Sequence, residues 1–107
     1  MIHDLGFMIQ ELRNEKISRM IPIRFTKHAI KKFSVLRTYG VLVSRAQVIR
    51  TIRTPDFIDY KRLPLYIAQG NFDKRLVLRV VYKNKGAIIV VITFYPGLKS
   101  QYEKSNP

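Results

Sequence analysis

The sequence predicts an α+β domain in which N-terminal helices pack on one face of a four-stranded antiparallel sheet. In the first half of the 107 residues, apolar side chains recur at the three- and four-residue spacing of amphipathic helices. After Pro55 the period changes to two, and the segments become rich in Val and Ile, as is typical of strands. Because the helices precede the strands and do not alternate with them, the pattern favours helices gathered on one sheet face.

The first 22 residues are interpreted as an N-terminal helical extension and a linker. Apolar side chains at helical spacing predict a short amphipathic helix over residues 3–14. The rest of the chain, residues 23–104, is predicted to form the α+β domain. Ile23–Phe25 is expected to be a short extended segment that leads into it.

Two further helices are delimited by capping residues. Thr26 is a suitable N-cap for a helix over residues 27–39, and Gly40 supplies its C-terminal end. Ser44 is a suitable N-cap for a helix over residues 45–54, which stops before a proline. Together these helices would supply the apolar layer that covers the sheet.

The four predicted strands span residues 57–61, 65–68, 75–83 and 87–95. A three-residue loop is expected to join the last two, which would place Arg79 opposite Val91 and Arg75 opposite Tyr95. Side chains alternate between the two faces of a strand. The face opposite the helices is therefore expected to be basic, open to a partner, and to gather four side chains: Arg75, Arg79, Thr93 and Tyr95.

The charge of the chain is its strongest functional signal. Twenty Lys and Arg stand against seven Asp and Glu, a net charge of +13, and no acidic residue lies between Glu15 and Asp56. Such an imbalance favours a polyanionic partner, most often nucleic acid, although a solvated basic face is the alternative.

The chain has no Cys, which excludes disulfides and thiolate chemistry, and its few His and carboxylates predict no metal and no cofactor. No apolar run is long enough to span a bilayer and residues 1–20 lack the form of a signal peptide, so a cytoplasmic location is expected.

Four segments occur in an order that resembles a known superfamily. They are FTKHAIKKF (residues 25–33), TPDFI (54–58), LVLRVVY (76–82) and IIVVITFYP (88–96), with Lys99 and Tyr102 trailing them. Over residues 23–104 the chain resembles the RelE/ParE-type toxins, in an uncharacterised BrnT-like branch. The resemblance implies helices on a four-stranded antiparallel sheet, metal-independent endoribonuclease (mRNA interferase) activity and a cognate antitoxin. Residues 1–20 are additional to that pattern, and residues 37–46 are longer and more apolar than its usual basic turn.

Three residues are predicted to be catalytic. Metal-free RNA cleavage needs one proton removed, another donated, and charge on the phosphate stabilised. His28 is the candidate acid or base because histidine titrates near neutral pH, and Arg79 is the candidate phosphate contact. Tyr95 is the candidate proton relay or base-stacking ring. The alternatives are that His28 packs the helix start, that Tyr95 packs on the sheet, and that Arg79 pairs structurally with one of three carboxylates: Asp56, Asp59 or Asp73.

A second set of residues is predicted to bind RNA: Lys27, Lys31, Lys32, Arg75, Lys99 and Tyr102. The alternative for the lysines is a solvated surface, and for Tyr102 ordinary sheet packing. The expected partners are RNA, including RNA on the ribosome, the antitoxin, and a second copy of the chain through residues 3–14. Two other functions compete with the ribonuclease hypothesis. One is a nucleic-acid-binding module without catalysis, and the other is a toxin-like protein-interaction domain.

Overall fold

Two helices, five strands and a final helical turn make up residues 21–103, which the computed structural model describes. The elements are β1 (Ile23–Phe25), α1 (Lys27–Thr38), α2 (Arg45–Arg53), β2 (Phe57–Asp59), β3 (Tyr66–Asn71), β4 (Leu76–Lys85), β5 (Ile88–Leu98) and α3 (Lys99–Tyr102). The helix predicted over residues 3–14 lies outside the described residues. Within residues 21–103, no helix combines the length and the hydropathy needed to cross a membrane.

Both predicted helices of the domain are confirmed, together with their caps. The Thr26 Oγ1 atom accepts a hydrogen bond from the Ala29 N–H and donates one to the Ile92 carbonyl, which ties the start of α1 to β5. Ser44 and Gln47 form a reciprocal capping box at the start of α2. Gly40 has φ +80°, the left-handed conformation that suits the residue after a helix.

The sheet is mixed and five-stranded, in the order β1-β5-β4-β3-β2, so the prediction of a four-stranded antiparallel sheet is wrong. The extended segment Ile23–Phe25 is a strand, and it pairs parallel with Ile89–Val91 of β5. The pairing satisfies backbone groups of Ile89–Val91 on the edge of β5 that faces away from β4. A three-residue strand is too short to show the alternation that reveals longer strands.

The predicted register of the β4–β5 hairpin is also wrong. The turn lies at residues 86–87, with Lys85 opposite Ile88, and Gly86 supplies the positive φ that a two-residue turn requires. The turn shifts the pairing by three residues, and a bulge between Val81 and Tyr82 adds one more, so Arg79 lies opposite Tyr95 and not opposite Val91. Because the total shift of four is even, Arg79 and Tyr95 still share a face as predicted.

A β-bulge in the same hairpin changes which side chains of β5 face the helices. Val81 pairs with Thr93 and Tyr82 pairs with Val91, so Ile92 is the extra residue on β5. The bulge reverses the alternation along the strand. Val91 consequently lies in the core, although simple alternation placed it on the opposite face.

The core lies between the helices and one face of the sheet. Its fully buried members include Ala29 on α1, Val48 on α2 and Phe94 on β5. Phe33 packs its ring on that of Phe94, with 4.6 Å between the ring centroids. This packing fixes two separate surfaces, the outer side of the helical layer and the sheet face that carries Arg79.

Candidate functional site

Arg79 is the centre of a hydrogen-bonded network on the sheet face opposite the helices. Its Nε donates to the Tyr95 hydroxyl (3.0 Å), its Nη1 donates to Gln69 Oε1, and its Nη2 donates to Asp59 Oδ2 (3.1 Å). Arg79 is only 5% exposed, and its strand neighbours Val77 and Val81 are buried as well. The prediction that this face is open is therefore wrong at its centre, because partners from β2, β3 and β5 surround the guanidinium.

The final helical turn covers this network. After β5 the chain folds back, so that the Tyr102 ring lies over the Arg79 guanidinium with 4.3 Å between the Arg79 Cζ atom and the ring centroid. A Cβ atom at position 97 would collide with the same ring, so Gly97 is what allows the turn to approach the sheet. Cation–π attraction favours this arrangement in a partly desolvated site.

Asp59 links the network to the loop that follows β2. Its Oδ2 atom is ion-paired with Arg79, and its Oδ1 atom accepts a hydrogen bond from the Lys61 backbone N–H (2.9 Å). The Lys61 N–H, together with Arg79, holds the pKa of Asp59 below its ordinary value, while burial acts in the opposite direction. The carboxylate therefore stays charged, and one side chain fixes both the arginine and the loop.

A pocket of about 460 Å³ lies above this network. It is lined by Asp59, Lys61, Arg62, Ile67, Arg79, Tyr95 and Tyr102. Lys61 and Arg62 are exposed at its rim, whereas the Arg79 network forms its floor. Cationic and aromatic groups at one pocket suit an anionic ligand with a flat ring system.

The three residues predicted to be catalytic are not all brought together. Arg79 and Tyr95 are in contact, but His28 is exposed on α1, the helix that packs on the opposite face of the sheet through Ala29. Alternation along strands predicts which strand residues share a face, but it says nothing about a helix residue. The alternative of a structural pair for Arg79 is present in the structure, with Asp59 as the partner.

The residues predicted to bind RNA fall into two groups. Lys27 and Lys31 are exposed on α1, and Lys32 is half-exposed there. The other group comprises Arg75, Lys99 and Tyr102. The Lys99 backbone N–H donates to the Arg75 carbonyl (2.9 Å), and Tyr102 lies on the same helical turn as Lys99. The first group belongs to the helical layer, and of the second only Tyr102 lines the pocket above Arg79.

Sequence reasoning missed several residues of this site. Gln69 is 3% exposed in β3, between Ala68 and Gly70, and a buried amide of this kind signals a polar partner. Lys61 and Arg62 gave no signal beyond their charge, since their place at the pocket depends on a hydrogen bond to Asp59. Tyr60, next to them, is exposed.

The helical layer is the most cationic part of the described chain. Helices α1 and α2 carry seven basic residues and no acidic one. All seven are exposed or half-exposed: Lys27, Lys31, Lys32, Arg37, Arg45, Arg50 and Arg53. Over residues 21–103 as a whole, 16 Lys and Arg stand against 4 Asp and Glu.

Comparison of the chain with protein-family models, with curated proteins and with solved structures finds no match. The resemblance to RelE/ParE-type toxins therefore stays a prediction. Among residues 21–103, no group of three or more His, Asp or Glu is placed to hold a metal ion.

Proposed function

We propose that the protein binds RNA through the outer surface of the helical layer. The observation that supports this most is the seven basic residues on α1 and α2, with no acidic residue on either helix. Like charges held together on a folded surface repel one another, and a phosphate backbone relieves that repulsion. Binding of this kind releases counterions from the nucleic acid and weakens as salt is added.

Replacing Lys27 and Lys31 with glutamine tests this surface. Each phosphate contact to a single strand contributes about −0.7 to the slope of log affinity against log salt concentration. The double variant Lys27→Gln/Lys31→Gln is therefore expected to bind single-stranded RNA more weakly, with a slope less steep by about 1.4 if both lysines contact phosphate. Fluorescence anisotropy of a labelled oligonucleotide over a range of KCl concentrations measures it.

The matched control is Lys83→Gln/Lys85→Gln, which removes the same charge from two exposed lysines of the β4–β5 hairpin. That control is expected to keep a slope close to that of the unchanged protein. Equal slopes for the helix variant and the hairpin control would contradict the proposed surface.

Metal-independent cleavage of the bound RNA is a second candidate, favoured by the pocket above Arg79. The Tyr95 hydroxyl accepts a hydrogen bond from the Arg79 Nε, so a group able to exchange protons lies beside a fixed cation. Lys61 and Arg62 line the same pocket, and in this candidate they hold a phosphate of the RNA. In the cleavage step the ribose 2′-hydroxyl would release its proton to water as its oxygen attacks the adjacent phosphorus. The bond from phosphorus to the 5′-oxygen would break, and that oxygen would take up the proton of the Tyr95 hydroxyl, which water then restores. The products would be a 2′,3′-cyclic phosphate and a free 5′-hydroxyl. A toxin role, with an antitoxin partner, belongs to this candidate.

Tyr95→Phe is the variant that tests cleavage, because it keeps the ring and removes only the hydroxyl. The unchanged protein is expected to cleave single-stranded RNA in EDTA and to arrest growth when expressed, whereas Tyr95→Phe loses both effects and still binds RNA. His28→Gln is the control, and it is expected to retain cleavage since His28 lies on the other layer. RNA left intact by the unchanged protein, with and without ribosomes, would rule out the second candidate and leave RNA binding in place.

A further inference from the structure

We propose that a pocket at the C-terminal end of α2 binds a guanine base of single-stranded RNA. In this pocket Asp56 accepts hydrogen bonds from the two adjacent N–H groups on the guanine edge, and Arg50 contacts a neighbouring phosphate. The inference rests on the RNA binding proposed above, because Arg50 belongs to the cationic surface of the helical layer. It adds base selectivity to a surface whose other contacts depend on charge alone.

The pocket holds about 340 Å³ of space and is bordered mainly by polar side chains. A volume of this size is typical of sites that take a small molecule or a single base. The residues that line it come from α2, from the segment after α2 and from β3: Arg50, Thr51, Thr54, Asp56, Gly70 and Asn71.

The pocket lies on the same side of the sheet as the cationic helices. Gly70 pairs with Leu78, which belongs to the core, so position 70 faces the helical layer. A Cβ atom added at Gly70 would lie 3.4 Å from the Thr51 side chain of α2, and the lack of one keeps the space beside α2 open. RNA that follows the helical layer therefore reaches this pocket, and the Arg79 network on the opposite face takes no part in it.

The Asp56 carboxylate is the group that assigns the pocket to a base. Within residues 21–103 it has no hydrogen bond and no ion pair, although Arg50 lines the same pocket. By contrast, Asp59 is paired with Arg79, and Asp73 Oδ1 accepts hydrogen bonds from two backbone N–H groups (2.8 Å each). Beside a phosphate-binding surface a carboxylate weakens binding through its charge, unless the ligand also brings hydrogen-bond donors to it.

The backbone around the pocket is fixed before a ligand arrives. The Asp56 N–H donates to the Gln69 carbonyl of β3 (2.9 Å), and the preceding Pro55 has a restricted φ. The Thr54 N–H and hydroxyl both donate to the Arg50 carbonyl (2.8 and 3.0 Å). Less conformational freedom is therefore lost on binding, so that more of the hydrogen-bond energy appears as affinity.

Guanine is the base whose edge suits a carboxylate. A carboxylate only accepts hydrogen bonds, through two oxygens, and guanine presents two adjacent donors, N1–H and N2–H. Adenine, cytosine and uracil each place an acceptor next to their donor, and that acceptor would face a carboxylate oxygen. The Asn71 amide at the same pocket can donate to the guanine O6 atom. In single-stranded RNA this edge is free to be contacted, whereas a duplex uses it for pairing.

Heptanucleotides that differ only in their central base test the proposal: UUUGUUU, UUUAUUU and an inosine analogue that lacks the guanine N2 amino group. The unchanged protein is expected to bind the guanosine oligonucleotide about fivefold or more tighter than the adenosine one, with inosine in between. Asp56→Asn is expected to bring the three affinities together, because an amide has one acceptor oxygen and sets its own NH₂ group against the second guanine donor. Fluorescence anisotropy at one KCl concentration measures all of them.

Asp73→Asn is the matched control. Asp73 is exposed, the substitution removes the same charge, and the amide oxygen can still accept the two backbone hydrogen bonds. This control is expected to keep the guanosine preference of the unchanged protein. Guanosine monophosphate alone is expected to bind about tenfold or more weakly than UUUGUUU, since it lacks the phosphates that reach the other cations of the helical layer.

Several results would overturn the proposal. Equal affinities of the unchanged protein for the three oligonucleotides would remove the base pocket and leave salt-dependent RNA binding by the helices intact. A guanosine preference that survives Asp56→Asn, or that falls equally in Asp73→Asn, would show that Asp56 does not recognise the base. Guanosine monophosphate bound as tightly as UUUGUUU would assign the pocket to a free nucleotide. Failure of the unchanged protein to bind any of the oligonucleotides would remove both the pocket and the proposed function.

Discussion

Arg79→Met is expected to lower the free energy of unfolding by about 3–5 kcal/mol. Arg79 is almost completely buried, and its side chain pairs with Asp59 while also serving Gln69 and Tyr95. Methionine fills much of the same volume but leaves a largely buried carboxylate without its cation. Removing one partner of a buried ion pair costs more than the pair itself contributes, because the remaining charge is uncompensated. Urea unfolding followed by circular dichroism measures the change.

Arg75→Met is the matched control for this prediction. Arg75 is exposed four residues earlier in the chain and is expected to change stability by less than about 0.5 kcal/mol. Adding Asp59→Asn to Arg79→Met is expected to recover part of the loss, because it removes the orphaned charge. An Arg79→Met protein as stable as the unchanged one would show that the network does not hold this face together.

Phe94→Ala is expected to be destabilising to a similar extent, about 3–5 kcal/mol. Phe94 is fully buried on β5 and contacts Phe33 of α1, so its removal opens a cavity at the junction of the sheet and the helical layer. The effect has a different origin from that of Arg79→Met, since it removes apolar contacts and leaves the Arg79–Asp59 ion pair in place. Thermal and urea unfolding of the two variants allow the losses to be compared.

The control for Phe94→Ala is Leu42→Ala. Leu42 is 69% exposed in the connection between α1 and α2, and its truncation is expected to change stability by less than about 0.5 kcal/mol. A loss of under about 1 kcal/mol for Phe94→Ala would contradict the core described above.

The parts of the fold that sequence could predict are those that depend on neighbouring residues. Thr26 and Ser44 cap the helices they were expected to cap, because an N-cap bonds within three residues of itself. The β4–β5 register depends on a turn type and a bulge, and the hydrophobic pattern of the sequence reveals neither. The strand Ile23–Phe25 is predicted only as an extended lead-in, because its partner in β5 lies far along the chain.

In the candidate site too, sequence predicts what depends on residues of one strand or hairpin and misses what depends on distant elements. An arginine inside a Val-rich strand identified Arg79 as unusual, and alternation placed it on one face with Tyr95. Its burial could not be predicted, because Gln69, Asp59 and Tyr102 reach it from three other elements. Only the chemistry of its side chain groups His28 with these residues, and the helix that carries it packs on the other side of the sheet.

If RNA binds to the cationic surface of the helical layer, its affinity must depend on salt, and titration of the unchanged protein with single-stranded RNA over a series of KCl concentrations measures this dependence. Binding is expected at low salt, with log affinity falling linearly as log salt concentration rises. Absence of binding at low salt, or an affinity that salt does not change, would contradict it.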